Sequence, residues 1–184
     1  MRIISGSLKG RVIKSYDIPG TRPTMARVKE SVFAIIQNKV QDSIVLDLFS
    51  GSGNLGIESI SNGSRLCYFN DINRECVKRI NESIKEFNIV DNAVVLNKGW
   101  DNCLEYLRNS NVKFDLVFLD PPYKIENLNE VIEKVLKYEL LNEDGIIICE
   151  VSNNYLNSFV GLEMIKNKKY GDKIVIIYRK INSK

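Results

Sequence analysis

Asp120 is the residue of this chain most suited to chemistry, because it stands between an apolar run and two prolines. Phe114-Asp115-Leu116-Val117-Phe118-Leu119 reads as a strand covered on both faces, and in open parallel sheets the ligand gathers at the carboxyl ends of such strands. Pro121 and Pro122 follow, then Tyr123. The prolines carry no N–H and fix φ, so the Pro121 carbonyl is held as an acceptor with no competing donor beside it. A carboxylate and a fixed carbonyl can together engage both hydrogens of an exocyclic amine. That favours a pyramidal nitrogen with its lone pair free, while Tyr123 stacks on the attached ring. Asp120, Pro121, Pro122 and Tyr123 are therefore the predicted catalytic group, with a rigid turn as the alternative reading of the same residues.

A second apolar run, Ile44 to Leu46, also ends in a carboxylate, Asp47. Leu48-Phe49-Ser50 leads from it into Gly51-x-Gly53-x-x-Gly56, the spacing of a loop that turns tightly under a nucleotide and opens a helix. Asp71 lies twenty residues beyond Gly51, where an acid can bind both hydroxyls of a ribose. Together these features predict an adenosine-containing cofactor. Asp47 discriminates between two of them. Its charge repels a pyrophosphate docking on the glycine loop and attracts a cofactor with a sulfonium and an ammonium group, as in S-adenosyl-L-methionine. A nicotinamide-dependent oxidoreductase would place a pyrophosphate there and leaves Asp120-Pro121-Pro122-Tyr123 unexplained.

These residues must be positioned by an alternating α/β chain. Strands are predicted near 44–49, 65–70, 93–97, 114–119 and 145–151, with two closing strands at 162–166 and 173–178. The clearest helix between them runs from Asn73 to Phe87, with Cys76, Ile80, Ile84 and Phe87 on one stripe. At the start, residues 2–5 and 11–16 predict a hairpin. Thr24 is placed to cap the helix that carries Val28, Val32, Ile35 and Ile36. The expected division is an extension at 1–23 and a single catalytic domain at 24–184.

The chain has no histidine, so triads and metal sites built on imidazole are excluded. Four cysteines without C-x-x-C spacing predict reduced thiols. No apolar run approaches the length of a membrane span, so a cytoplasmic protein without membrane contact is expected, with no metal and as a monomer. The net charge of +3 is uneven: residues 1–29 hold seven basic side chains against one acid, and the remainder is net negative. That asymmetry predicts a nucleic-acid grip by Arg2, Lys9, Arg11, Arg22, Thr24 and Arg27.

The two strand-end motifs resemble those of the S-adenosylmethionine-dependent amino-methyltransferases. With Arg2-Ile3-Ile4-Ser5-Gly6-x-x-Lys9-Gly10-Arg11 and Arg22-Pro23-Thr24-x-x-Arg27-Val28-Lys29-Glu30-x-x-Phe33, nearly the whole chain resembles the bacterial 16S rRNA (guanine-N2)-methyltransferases, the RsmD family. The resemblance implies a Rossmann-like class I fold, with a mostly parallel seven-stranded sheet, helices on both faces and a small N-terminal β-hairpin. It implies methyl transfer from S-adenosyl-L-methionine to a guanine of 16S rRNA, in the small subunit or an assembly intermediate. Asp47, Phe49, Gly51 and Gly53 would hold the methionine part, and Asp71, with Ile72 beside it, the ribose. Trp100 and Asp101 compete for the place facing the adenine. An adenine-N6 DNA methyltransferase and a non-catalytic RNA-binding assembly factor are the alternatives.

Overall fold

The computed structural model describes residues 1–14, 22–121, 128–152 and 156–181, with the backbone alone at 22–25. Strands β1 (Ile44–Asp47), β2 (Leu66–Asn70), β3 (Ala93–Leu96), β4 (Phe114–Leu119), β5 (Leu141–Val151), β6 (Leu162–Tyr170) and β7 (Lys173–Lys180) form one sheet. Its order is β3-β2-β1-β4-β5-β7-β6. The pairings from β3 through β5 are parallel, and β7 runs antiparallel to both of its neighbours. Helices α1 (Arg22–Val40), α2 (Asn54–Ser61), α3 (Arg74–Glu86), α4 (Trp100–Asn109) and α5 (Leu128–Lys137) complete the fold.

The continuous apolar runs are explained by two cores. Successive strand residues point to opposite faces, so Val45, Leu116, Phe118, Ile146 and Ile148 pack with α1, α2 and α3 on one side. Leu46, Val117, Leu119, Ile147 and Cys149 pack with α4 and α5 on the other. Connections leave β1 toward β2 on one side, while β4 lies on its other side, so a crevice opens above the carboxyl ends of β1 and β4. Both predicted carboxylates stand there.

The N-terminal segment is less a ladder than predicted and more a part of the core. A single bridge, Arg2 with Val12, is flanked by bonds from the Gly10 N–H to the Ile3 carbonyl and from the Ile13 N–H to the Met1 carbonyl. Ile3 and Ile13 are fully buried in the α1–α2 core. Helix α1 begins at Arg22, so Thr24 falls inside its first turn instead of capping it. At the start of α3, Asn73 does cap its helix, its side chain accepting from the Glu75 N–H at 2.9 Å. Strand β5 begins at Leu141, earlier than predicted, because the register with β4 shifts between Phe114 and Leu116 and lets a polar segment join the ladder.

Candidate active site

The glycine loop is fixed from below by the strand it leaves and from the side by β2. The Asp47 carboxylate, buried at the end of β1, accepts from the Gly56 N–H at 3.1 Å. Ser50 exchanges backbone bonding with Asn70, its N–H reaching the Asn70 carbonyl and its hydroxyl receiving the Asn70 N–H. The Gly51 N–H donates to Asp71 Oδ2 at 2.8 Å. Two glycines are required outright. Gly53 has φ 78° at the start of α2, a conformation costly for a side chain. A Cβ on Gly56 would lie 2.2 Å from the Phe69 ring, so only glycine lets α2 settle on the sheet.

Asp71 follows β2 and is aimed by backbone. Its other oxygen, Oδ1, accepts from the Asn73 N–H at 2.8 Å, which leaves lone pairs on both oxygens for further donors. Asn97 ties the following turn to β3, donating to the Asp71 and Ile72 carbonyls at 2.8 and 3.0 Å. Asn70 similarly bridges the Leu48 and Lys98 carbonyls. Three strand-end loops are thus held at fixed mutual positions.

Above them lies one cavity of about 1030 Å³, whose wall includes Asp47, Gly51, Asp71, Trp100, Asp120 and Glu150. Small-molecule sites usually take roughly 300–1,000 Å³, so the volume suffices for a cofactor and part of a second ligand. Phe49, Ile72 and Pro121 also line it. Of the predicted residues, Gly53 shapes the loop from outside the wall, since a Cβ there would meet Ile80 and Ile57. Asp101 is turned away: its carboxylate is bound by Lys134 of α5, and the adjoining cavity wall is made by Trp100. Pro122 and Tyr123 lie outside the described residues.

The electrostatics favour a cationic guest. Burial pushes the Asp47 carboxyl up from 3.8 to about 7, against the stabilising Gly56 N–H, with the charges of Asp120 and Asp71 raising it further. Asp120 is also raised, by burial, with Lys173 opposing the shift. The crowding of Asp47, Asp71 and Asp120 around one cavity would be relieved by a positive ligand. Among the described residues no group of three or more histidine, cysteine or acidic side chains is placed to hold a metal.

Several polar residues at this site were not among those picked from the sequence. Glu150, at the end of β5, is ion-paired with Lys173, at the start of β7, and both line the cavity. The signal for Glu150 was available: like Asp120, it terminates a fully apolar run, Ile146 to Cys149. Beneath the glycine loop, buried Lys29 donates to Glu58 at 2.7 Å, to Asn54 Oδ1 at 2.8 Å and to the Arg2 carbonyl at 2.9 Å. Glu58 in turn accepts from the Ile4 and Ser5 N–H groups. Its spacing with Phe33, Ile36 and Val40 placed Lys29 on the apolar stripe of α1. Lys29 therefore belongs to the interior and drops out of the basic surface counted over residues 1–29.

The remaining basic residues are partly engaged. Arg2 donates to the Gly10 carbonyl at 2.7 Å, and Arg11 reaches the Glu86 carbonyl while its guanidinium lies 4.8 Å from the centre of the Phe87 ring. Lys9 and Arg27 are exposed. Arg22 and Thr24 contribute backbone to the first turn of α1, their side chains being outside the description.

Comparisons with known proteins agree with this architecture. Residues 1–179 match the family model described as Conserved hypothetical protein 95. The Bacillus subtilis (strain 168) protein YlbH is 37% identical over 182 residues, covering 98% of this chain and 99% of that protein. Ribosomal RNA small subunit methyltransferase D of Buchnera aphidicola subsp. Acyrthosiphon pisum is 32% identical over 149 residues, 80% of this chain and 76% of its own length. The solved structure of yhhF from Escherichia coli superposes with a TM-score of 0.86 at 25% identity, covering 98% of this chain and 97% of that one. With the glycine loop, the strand-end carboxylates and the sheet order in place, the chain belongs to the RsmD-type family of Rossmann-like methyltransferases.

Proposed function

We propose that this protein transfers a methyl group from S-adenosyl-L-methionine to the exocyclic N2 amine of a guanine in 16S rRNA. Ribosomal RNA methylation follows from the family, and S-adenosylmethionine is its donor. The small ribosomal subunit, or an intermediate of its assembly, is the proposed partner. The observation that carries the finer reading is Asp120, set beside Pro121 at the end of β4 on the same cavity as Asp47 and Asp71.

Bound in the cavity, the cofactor supplies a methyl group on a positively charged sulfur. Asp47 and the glycine loop would hold the methionine part, Asp71 would accept from the ribose hydroxyls, and Trp100 would flank the adenine. On the other side, Asp120 and the Pro121 carbonyl accept from the two hydrogens of the amine. Holding the amine in place toward the methyl donor is an effect able to contribute on the order of 7–11 kcal/mol when geometry is good. An amine nitrogen that gained a methyl group there would become strongly acidic. Asp120 takes its proton directly or through water, and no histidine is required. The target base must leave its stack, which costs a few kcal/mol and least in single-stranded loops. Residues 1–23 serve as the extension that grips RNA, carried on the methyltransferase domain at 24–184.

The test is to incubate the protein with labelled S-adenosylmethionine and unmodified small subunits, then digest the RNA to nucleosides. Label in N2-methylguanosine supports the reading. Label in N6-methyladenosine, or in no nucleoside, rejects it.

A further inference from the structure

Glu150 and Lys173 occupy the acceptor side of the cavity, and the cofactor reading gives them no task. Their positions follow from strand register. Leu119 of β4 pairs with Cys149 of β5, so the next residues, Asp120 and Glu150, stand side by side at the ends of adjacent parallel strands. Glu150 pairs with Val175 of β7, and Lys173 lies two residues earlier on the same face. Phe118, Ile148 and Val175 all belong to the α1–α3 core. The alternation of the pleat therefore brings Asp120, Glu150 and Lys173 to one face, in that order across the sheet, and all three line the cavity.

The Glu150–Lys173 ion pair has side chains 15% and 22% exposed. A sheltered pair of this kind contributes little to stability, because desolvation offsets attraction. It leaves hydrogen-bonding capacity unspent, since a carboxylate has about four acceptor positions and an ammonium three donors. Lys173 also lies close enough to Asp120 to favour its ionised form. From β4 to β7 the cavity thus presents acceptor, acceptor, donor.

That order matches one nucleobase edge. Read outward from the reacting amine, guanine shows the N2 hydrogens, the N1–H donor and the O6 acceptor. Adenine shows its amine and then N1, an acceptor. Cytosine shows its amine and then two acceptors. Opposite Glu150, only guanine offers a hydrogen, and a carboxylate facing a ring nitrogen lone pair is repelled by it. Flipped bases are read along this edge in enzymes that modify them.

We propose that Glu150 and Lys173 select guanine, Glu150 accepting from N1–H and Lys173 donating to O6 while Asp120 holds the N2 amine. The inference rests on the guanine-N2 reading above and adds the groups that make the choice. Its test uses the RNA segment carrying the mapped target, prepared with guanine or with 2-aminopurine at that position. 2-Aminopurine keeps the reacting amine but presents N1 as an acceptor and has no O6. Comparing kcat/KM on the two RNAs for wild type, Glu150→Gln and Lys173→Met cancels the intrinsic reactivity of the two amines.

Wild type is expected to prefer guanine by roughly 100-fold or more, as sites built to satisfy a polar edge do. Glu150→Gln, whose amide can donate to N1, should lower that preference at least about tenfold, with cofactor affinity unchanged by calorimetry. Lys173→Met should lose at least about tenfold more rate on guanine RNA than on 2-aminopurine RNA, any loss common to both RNAs reflecting the weaker ionisation of Asp120. If both variants keep the wild-type preference, the pair does not read the base and the proposal is overturned while the guanine-N2 reading stands. Absence of N2 methylation by wild type on guanine RNA overturns both.

Discussion

Asp47 and Asp120 show how a residue at a strand end acquires a function its type does not announce. Both carboxyls are shifted upward by burial, and the proposed function gives them different ligands. The folded-state value of Asp47, about 7, exceeds the ordinary 3.8, so the folded protein holds this proton more tightly than the unfolded chain does. The stability it contributes is present below about 4 and is lost as pH rises toward 7. A cationic cofactor reverses the preference by favouring the ionised form. S-adenosylmethionine affinity should therefore rise with pH up to about 7 and level off above it, with proton release on binding near pH 6. Calorimetry in buffers of differing ionisation enthalpy measures that release, and a pH-independent affinity with no proton released would remove Asp47 from the cofactor's partners. Asp120→Ala should lower the rate of the chemical step by roughly 10²- to 10⁴-fold while cofactor affinity stays within a few-fold, since its role is on the acceptor amine. Single-turnover kinetics beside a cofactor titration separates the two effects. Both aspartates were legible in the sequence because each ends an apolar run. Which of Trp100 and Asp101 lines the cavity was not, because the Asp101 carboxylate is paired with Lys134, supplied by a helix more than thirty residues later.

At the scale of elements, the glycine loop and helix α1 carry the strongest tests. Gly56→Ala puts a methyl group 2.2 Å from the Phe69 ring, and overpacking of that kind costs typically about 1–3 kcal/mol. Urea unfolding should show at least that loss, and an unshifted midpoint would mean α2 can move off the sheet freely. Lys29→Ala leaves Glu58 buried opposite no cation, a change that costs roughly 3–5 kcal/mol. A stability within 1 kcal/mol of wild type by the same measurement, on the scale of an exposed pair, would show that the neutral donors, the Ile4 and Ser5 N–H groups with the Ser5 hydroxyl and the Asn62 amide, suffice for Glu58. Strand and helix periodicity made most elements readable, because each strand of the parallel core feeds two hydrophobic layers and has no polar face to interrupt it. The N-terminal segment was harder. Its role is set by Ile3, Ile13, Lys29 and Glu58 meeting across up to 57 residues of chain, through contacts such as Asn62 with Ser5, and local pattern carries no trace of such meetings.

For the whole molecule, the same packing ties residues 1–14 of the proposed RNA grip to the core. Ile3 and Ile13 share the core with α1 and α2, and the Arg2 carbonyl receives a bond from Lys29 directly below the glycine loop. Replacing Arg11, Arg22 and Arg27 together should weaken RNA binding and flatten its dependence on salt, since each lost phosphate contact lowers the slope of log affinity against log salt by about 0.9 or less. Cofactor binding should not change. An unaltered slope and affinity would confine Arg11 to its packing on Phe87 and place the RNA elsewhere. The central claim joins both ends of the cavity: methyl leaves a donor held by Asp47 and Asp71 and arrives at a guanine amine held by Asp120. It is tested most directly by mass analysis of 16S rRNA from unmodified small subunits after one turnover with wild type and with Asp120→Asn, each loaded with cofactor. The account predicts one N2-methylguanosine per subunit at a single position for wild type and almost none for the variant. Methyl on another base, or equal yield and rate from both proteins, would contradict it.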